Sequence, residues 1–111
     1  PLVSMFKKAA SLNVPTQMIQ AVVTEDERPF AQKLDSITDN YEQAQLHLHV
    51  KDKEGYLEAK ELEQYLSEQP EIYICGGTKF LHSIINSLKE LNYDMNHVHF
   101  ETFIPRLSVQ V

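Results

Sequence analysis

The chain is 111 residues long, enough for one domain with a substantial core, and 42% of it is hydrophobic, as in ordinary globular proteins. Its 16 acidic residues outnumber 10 basic ones, leaving a net charge of −6 and no basic stripe, which argues against a nucleic-acid partner. One cysteine rules out an intrachain disulfide framework and fits a reducing cytoplasm, and no apolar run is long enough to span a bilayer.

The chain opens on Pro1 with no methionine and reads at once as a helix, the look of a piece cut from something longer. Over residues 1–12, Leu2, Met5, Phe6 and Ala9 share a helical face opposite Lys7 and Lys8; Asn13 and Pro15 end the helix. Residues 18–23, MIQAVV, read as a buried strand, and Thr24 to Arg28 as a polar turn. Pro29 opens a second helix with Phe30, Leu34 and Ile37 inward. Residues 44–51 alternate, with Leu46, Leu48 and Val50 on one strand face and His47 and His49 on the other. Residues 58–67 form a short helix with Leu62, Tyr65 and Leu66 inward. Next comes the most informative stretch, EIYICGGTKF at 71–80: a β-type run, Cys75, two glycines, and an amphipathic helix carrying Phe80, Leu81, Ile84, Ile85, Leu88 and Leu91. Residues 97–103 are the last strand.

Helix and strand alternate throughout, which implies a parallel sheet covered by helices, an α/β fold. A strand, a glycine turn and a helix start form a ready phosphate site: glycines let a ligand approach the backbone, and the helix start presents unpaired N–H groups. A doubly wound nucleotide-binding sheet should begin with a strand and a glycine turn, but here the first helix stands without them.

The other chemistry-bearing residues weigh differently. Cys75 reads either as a thiol at the mouth of a site or as a small buried hydrophobe; no base is placed by sequence to make it a nucleophile. The pairs His47/His49 and His97/His99 each share a strand face, but no Cys or carboxylate completes either at ligand spacing, so they read as polar strand positions and not as a metal site. Asp52, Glu54, Gly55, Leu57 and Glu61 fall at EF-hand loop positions, yet Val50 stands where the first carboxylate is required and the preceding run alternates like a strand, so calcium binding is the weaker alternative. Glu25, Asp26 and Glu27 follow the first β-type run, where dinucleotide sites approach the adenosine ribose; they disfavour a 2′-phosphate, with Arg28 pulling the other way.

The residues YICGGTKF and HVHFETFIP resemble the NAD(P)-binding domain of the ferredoxin reductase superfamily. That family ends a strand with a tyrosine, a hydrophobe and Cys-Gly-Pro, then an aromatic or Met, which Tyr73, Cys75, Gly76 and Phe80 match. It closes with an acid and an aromatic near the flavin, which Glu101, Phe103 and Pro105 match. Gly77 replaces the usual Pro, and Ile104 the usual Gly. Pro1 is similar to the last residue of the family's first glycine motif. The ending looks most like that of the flavohaemoglobins, the nitric oxide dioxygenases.

The resemblance implies an open parallel sheet of the ferredoxin-reductase type lacking its first strand, over residues 1–111. It implies NAD(P)H binding and hydride delivery to FAD, with FAD and haem held mainly by flavin-binding and globin domains of the same parent. Another reductase of the superfamily, serving a different oxygenase partner, is the alternative. It also implies roles for Cys75 and Glu101 near the reacting nicotinamide, nucleotide contacts by Pro1, Thr24, Gly76, Gly77, Thr78 and Phe80, and a place for Phe103 over the flavin. The missing strand is central in this fold, so a gap is expected between the strands at 18–23 and 71–75. It would close by direct pairing of the two or by association with a second copy.

Overall fold

The computed structural model describes residues 2–22, 26, 28–51 and 59–102. The first helix, α1, spans Leu2–Ser11 and is followed by β1 at Thr16–Val22, α2 at Ala31–Asn40 and β2 at Ala44–Val50. Then come α3 at Ala59–Glu63, β3 at Glu71–Gly76, α4 at Thr78–Glu90 and, after a short 3-10 turn at Met95–His97, β4 at Val98–Thr102.

The strands form one sheet in the order β2-β1-β3-β4, and every pairing is parallel. The expected gap is closed by the direct route: β1 and β3 hydrogen-bond to each other from Thr16 opposite Glu71 to Gln20 opposite Cys75.

The period-2 alternation decides what each face carries. Met18, Tyr73, Ala44 and Leu46 point to one face, where they meet Leu2, Phe6 and Ala10 of α1 and Leu34 and Ile37 of α2. Ile19, Ile72, Ile74 and Val98 point to the other, against Leu62 of α3 and Leu81, Ile84 and Leu88 of α4. Phe6 meets the ring of Tyr73 edge-on at 5.8 Å, fixing α1 over the middle of the sheet. The chain steps from β1 to β2 in one direction across the first face, and from β3 to β4 in the opposite direction across the second. Reversing both direction and face preserves handedness, as parallel crossovers require.

Two inward assignments and one helix length from the sequence need correction. Met5 is 42% exposed, because the buried stripe of α1 runs through Leu2, Phe6 and Ala10, one turn apart. Phe30 precedes α2 with φ 57°, a left-handed backbone; its carbonyl accepts from Leu34 N–H at 2.9 Å, while its side chain stands 53% exposed. The helix expected at 58–67 is shorter, since after Glu63 the chain tightens into turns in which Tyr65 N–H donates to Leu62 and Leu66 N–H to Glu63.

Candidate functional site

The direction of chain travel reverses between β1 and β3, so the crevice off their carboxyl ends is the switch point where open α/β sheets bind ligands. β3 delivers Cys75, Gly76 and Gly77 to that edge, and α4 starts immediately after them.

The two glycines do different jobs. Gly76 is buried, and a Cβ there would lie 3.0 Å from Phe80 Cδ2, 3.2 Å from Ala21 Cβ and 3.4 Å from the Ala21 carbonyl oxygen. Its missing side chain is filled by the protein itself. Gly77 is exposed, has φ −73° and ψ 164°, and a Cβ there would meet nothing within 4 Å. Neither backbone strain nor packing demands glycine at 77. The position leaves open space beside the first N–H groups of α4, whose start has no side-chain cap.

Cys75 and Glu101 face each other across the β3–β4 ladder. The Cys75 side chain turns toward the core under α1 and is half-buried there. Burial pushes its thiol pKa up, and the Glu101 carboxylate adds to the rise, so the group stays protonated and is no nucleophile. Glu101 also borders a cleft of about 580 Å³ between α1 and α2, lined by Val3, Lys7, Phe30, Lys33 and Tyr41 among others. Thr78 is exposed at the start of α4. Phe80 turns away from that cleft to the opposite face, its ring stacked on His49 at 5.9 Å and lying over Gly76. Pro1, Thr24 and Phe103 lie outside the described residues, as does most of the EF-hand-like loop, residues 52–58.

Two clusters escaped the sequence reading. A carboxylate does meet the His97/His99 pair: Glu71, on the neighbouring strand, contacts His97 Nδ1 and accepts from His99 Nε2 at 2.8 Å. Spacing along one strand could not show it, because register brings it there. His99 stacks on Tyr73 at 4.7 Å, and among the described residues no group of His, Cys, Asp and Glu could hold a metal. The second cluster joins Gln20, Arg28 and Asp35. The signal was Gln20 itself, a polar residue in a buried run, which requires hydrogen-bond partners.

No family model matches the sequence. Among curated proteins, it is 24% identical to flavohemoprotein B of Dictyostelium discoideum over 98% of this chain and 29% of that one. It is 35% identical to a flavohemoprotein of Bacillus cereus over 53% of this chain and 15% of that one, and 26% identical to one from Bacillus thuringiensis over 83% and 26%. The chain thus spans less than a third of the curated relatives it matches. Among solved structures, the flavohem-like FAD/NAD-binding domain of nitric oxide dioxygenase from Vibrio cholerae superposes with a TM-score of 0.60 at 19% identity, covering 83% of this chain and 52% of that one. Among the described residues no helix is long and apolar enough to cross a membrane.

Proposed function

We propose that this chain, which resembles the ferredoxin-reductase-like domain of flavohemoproteins, binds NAD(P)H at the β1/β3 switch point and holds it for hydride transfer to a flavin carried elsewhere in a larger protein. The chemistry belongs to the cofactors: reduced nicotinamide supplies a hydride and FAD takes it. In the fuller version of this reading the parent is a cytoplasmic nitric oxide dioxygenase, with FAD and haem held by its flavin-binding and globin domains.

The observation that carries the proposal is Gly77. The protein makes no use of its missing side chain, so the space it leaves suits a ligand that comes close to the backbone. The N–H groups at the start of α4 suit phosphate oxygens, and Lys7 and Lys33 give the cleft positive charge. Cys75 and Glu101 border the nicotinamide end in this reading. The thiol offers a small, weakly polar contact, and the Glu101 carboxylate at the end of β4 stands opposite it on the ladder.

Fluorescence titration of Gly77→Val with NADH tests the proposal. The helical and strand signals in circular dichroism should be unchanged, while affinity should fall about tenfold or more as the branched side chain enters the phosphate approach. Wild-type protein that binds no nicotinamide nucleotide, or a variant with undiminished affinity, refutes it.

A further inference from the structure

Arg28 is the single basic residue between Val22 and Ala31, in the turn that follows β1. In dinucleotide sites an acid in this region suits a ribose 2′-hydroxyl, whereas an arginine nearby accommodates a 2′-phosphate. By residue type alone, Arg28 offsets its acidic neighbours.

The structure removes it from that role. Arg28 Nη2 lies 3.0 Å from Asp35 Oδ1 and Nη1 lies 3.4 Å from Oδ2, a two-pronged pairing with a carboxylate on the second turn of α2. Its Nε donates to Gln20 Oε1 at 3.0 Å. Gln20 is fully buried on β1, and its own amide nitrogen donates to the Pro29 carbonyl at 2.8 Å, so its acceptor is aimed at Arg28 from a fixed position. The Arg28 side chain is only 17% exposed. A guanidinium has five N–H donors. Both prongs and the Nε are engaged within the protein, and among the described residues the Asp35 carboxylate matches the charge.

We propose that Gln20 and Asp35 act as specificity-determining residues for NADH over NADPH, by holding Arg28 under α2 and cancelling its charge so that no cation is offered to a 2′-phosphate. This rests on the nucleotide-binding reading above. With that cation withdrawn, the nucleotide lacking the extra phosphate is favoured.

The test is the ratio of NADPH to NADH dissociation constants, measured by fluorescence titration on the full-length protein. Asp35 is more than half exposed, so Asp35→Asn retains the fold. It frees the guanidinium charge, and the ratio should fall about tenfold, the scale of one charge-assisted hydrogen bond. Adding Arg28→Ala to Asp35→Asn should restore the wild-type ratio, since the effect passes through that guanidinium. If both nucleotides bind and the ratio is unmoved by Asp35→Asn, the proposal is wrong while nucleotide binding stands. A shift that survives removal of Arg28 also overturns it. If neither nucleotide binds the wild type, the functional reading fails and this proposal with it.

Discussion

Substituting alanine at each of the two adjacent glycines should move stability in opposite directions. At Gly76 the new methyl would stand 3.0 Å from the Phe80 ring, 3.2 Å from Ala21 Cβ and 3.4 Å from the Ala21 carbonyl. Two of those atoms belong to a neighbouring strand near the centre of the sheet and cannot retreat without disturbing the ladder. The third belongs to a ring stacked on buried His49. Overpacking of this kind costs roughly 1–3 kcal/mol, against about 0.4–1 kcal/mol gained from a stiffer unfolded chain, so Gly76→Ala should lose about 1–2 kcal/mol. At Gly77 the backbone is already in a region open to alanine and no atom lies within 4 Å, so only the unfolded-state term remains. Gly77→Ala should therefore gain about 0.4–1 kcal/mol. Urea unfolding followed by circular dichroism measures both, and for a domain of this size the pair should be separated by roughly 5–15 °C in thermal midpoint. The cost of Gly76→Ala should shrink in a Phe80→Leu background, because the tightest contact is then gone. Equal effects at the two positions, or a Gly76→Ala that stabilises, would refute the division of labour between them.

Glu71→Gln should cost about 1 kcal/mol in urea unfolding, because two histidines lose their shared carboxylate at a partly exposed site, and an unchanged midpoint would show that the cluster adds no stability. Burial, then Glu71, then Asp94 push the Tyr93 hydroxyl pKa up to about 12 from the usual 10. The folded protein then binds more protons than the unfolded chain in that window, so the contribution is complete below pH 10 and lost as pH rises toward about 12. Tyr93→Phe should flatten that alkaline loss of stability, and an identical pH profile in the variant would show that another group causes it. With its thiol pKa raised by burial and Glu101, Cys75 should react with iodoacetamide at pH 8 well below the rate of a free thiol, and equal rates would contradict its half-buried, protonated state.

What could be read in advance depended on whether the cause was local. The alternation of Leu46, Leu48 and Val50 against His47 and His49 is a property of one strand, and the structure shows it as expected. The run from Glu71 through the glycines into α4 carried its own strand, turn and helix signals. Gly76 looked like a ligand-facing glycine because part of its crowding comes from Ala21, more than fifty residues away in the chain, and the rest from how the Phe80 ring folds back over it. Glu71 was invisible as a partner of His97 and His99 for the same reason. Phe30 fits a helical stripe on paper, but the left-handed turn before α2 swings it out, and no glycine or asparagine announces that turn. Gln20, Arg28 and Asp35 come from a strand, a loop and a helix, and only the β1–α2 crossover brings them together.

β4 lies at the edge of the sheet with β3 as its sole ladder partner among the described residues, and it is fastened unequally along its length. At its beginning, Glu71 grips the two histidines that flank Val98, and Tyr73 covers His99. At its far end, Glu101 and Thr102 border the open crevice, with Cys75 and the glycine turn as their neighbours on the ladder. An edge strand pinned at one tip opens like a leaf on a hinge, with small local free energies at the loose tip and larger ones near the pin. Backbone amides of Glu101 and Thr102 should exchange with solvent deuterium sooner than those at the Val98 end. Exchange in that order would put the first part of the sheet to open beside the candidate nucleotide site, and an even order along β4 would refute the unequal fastening.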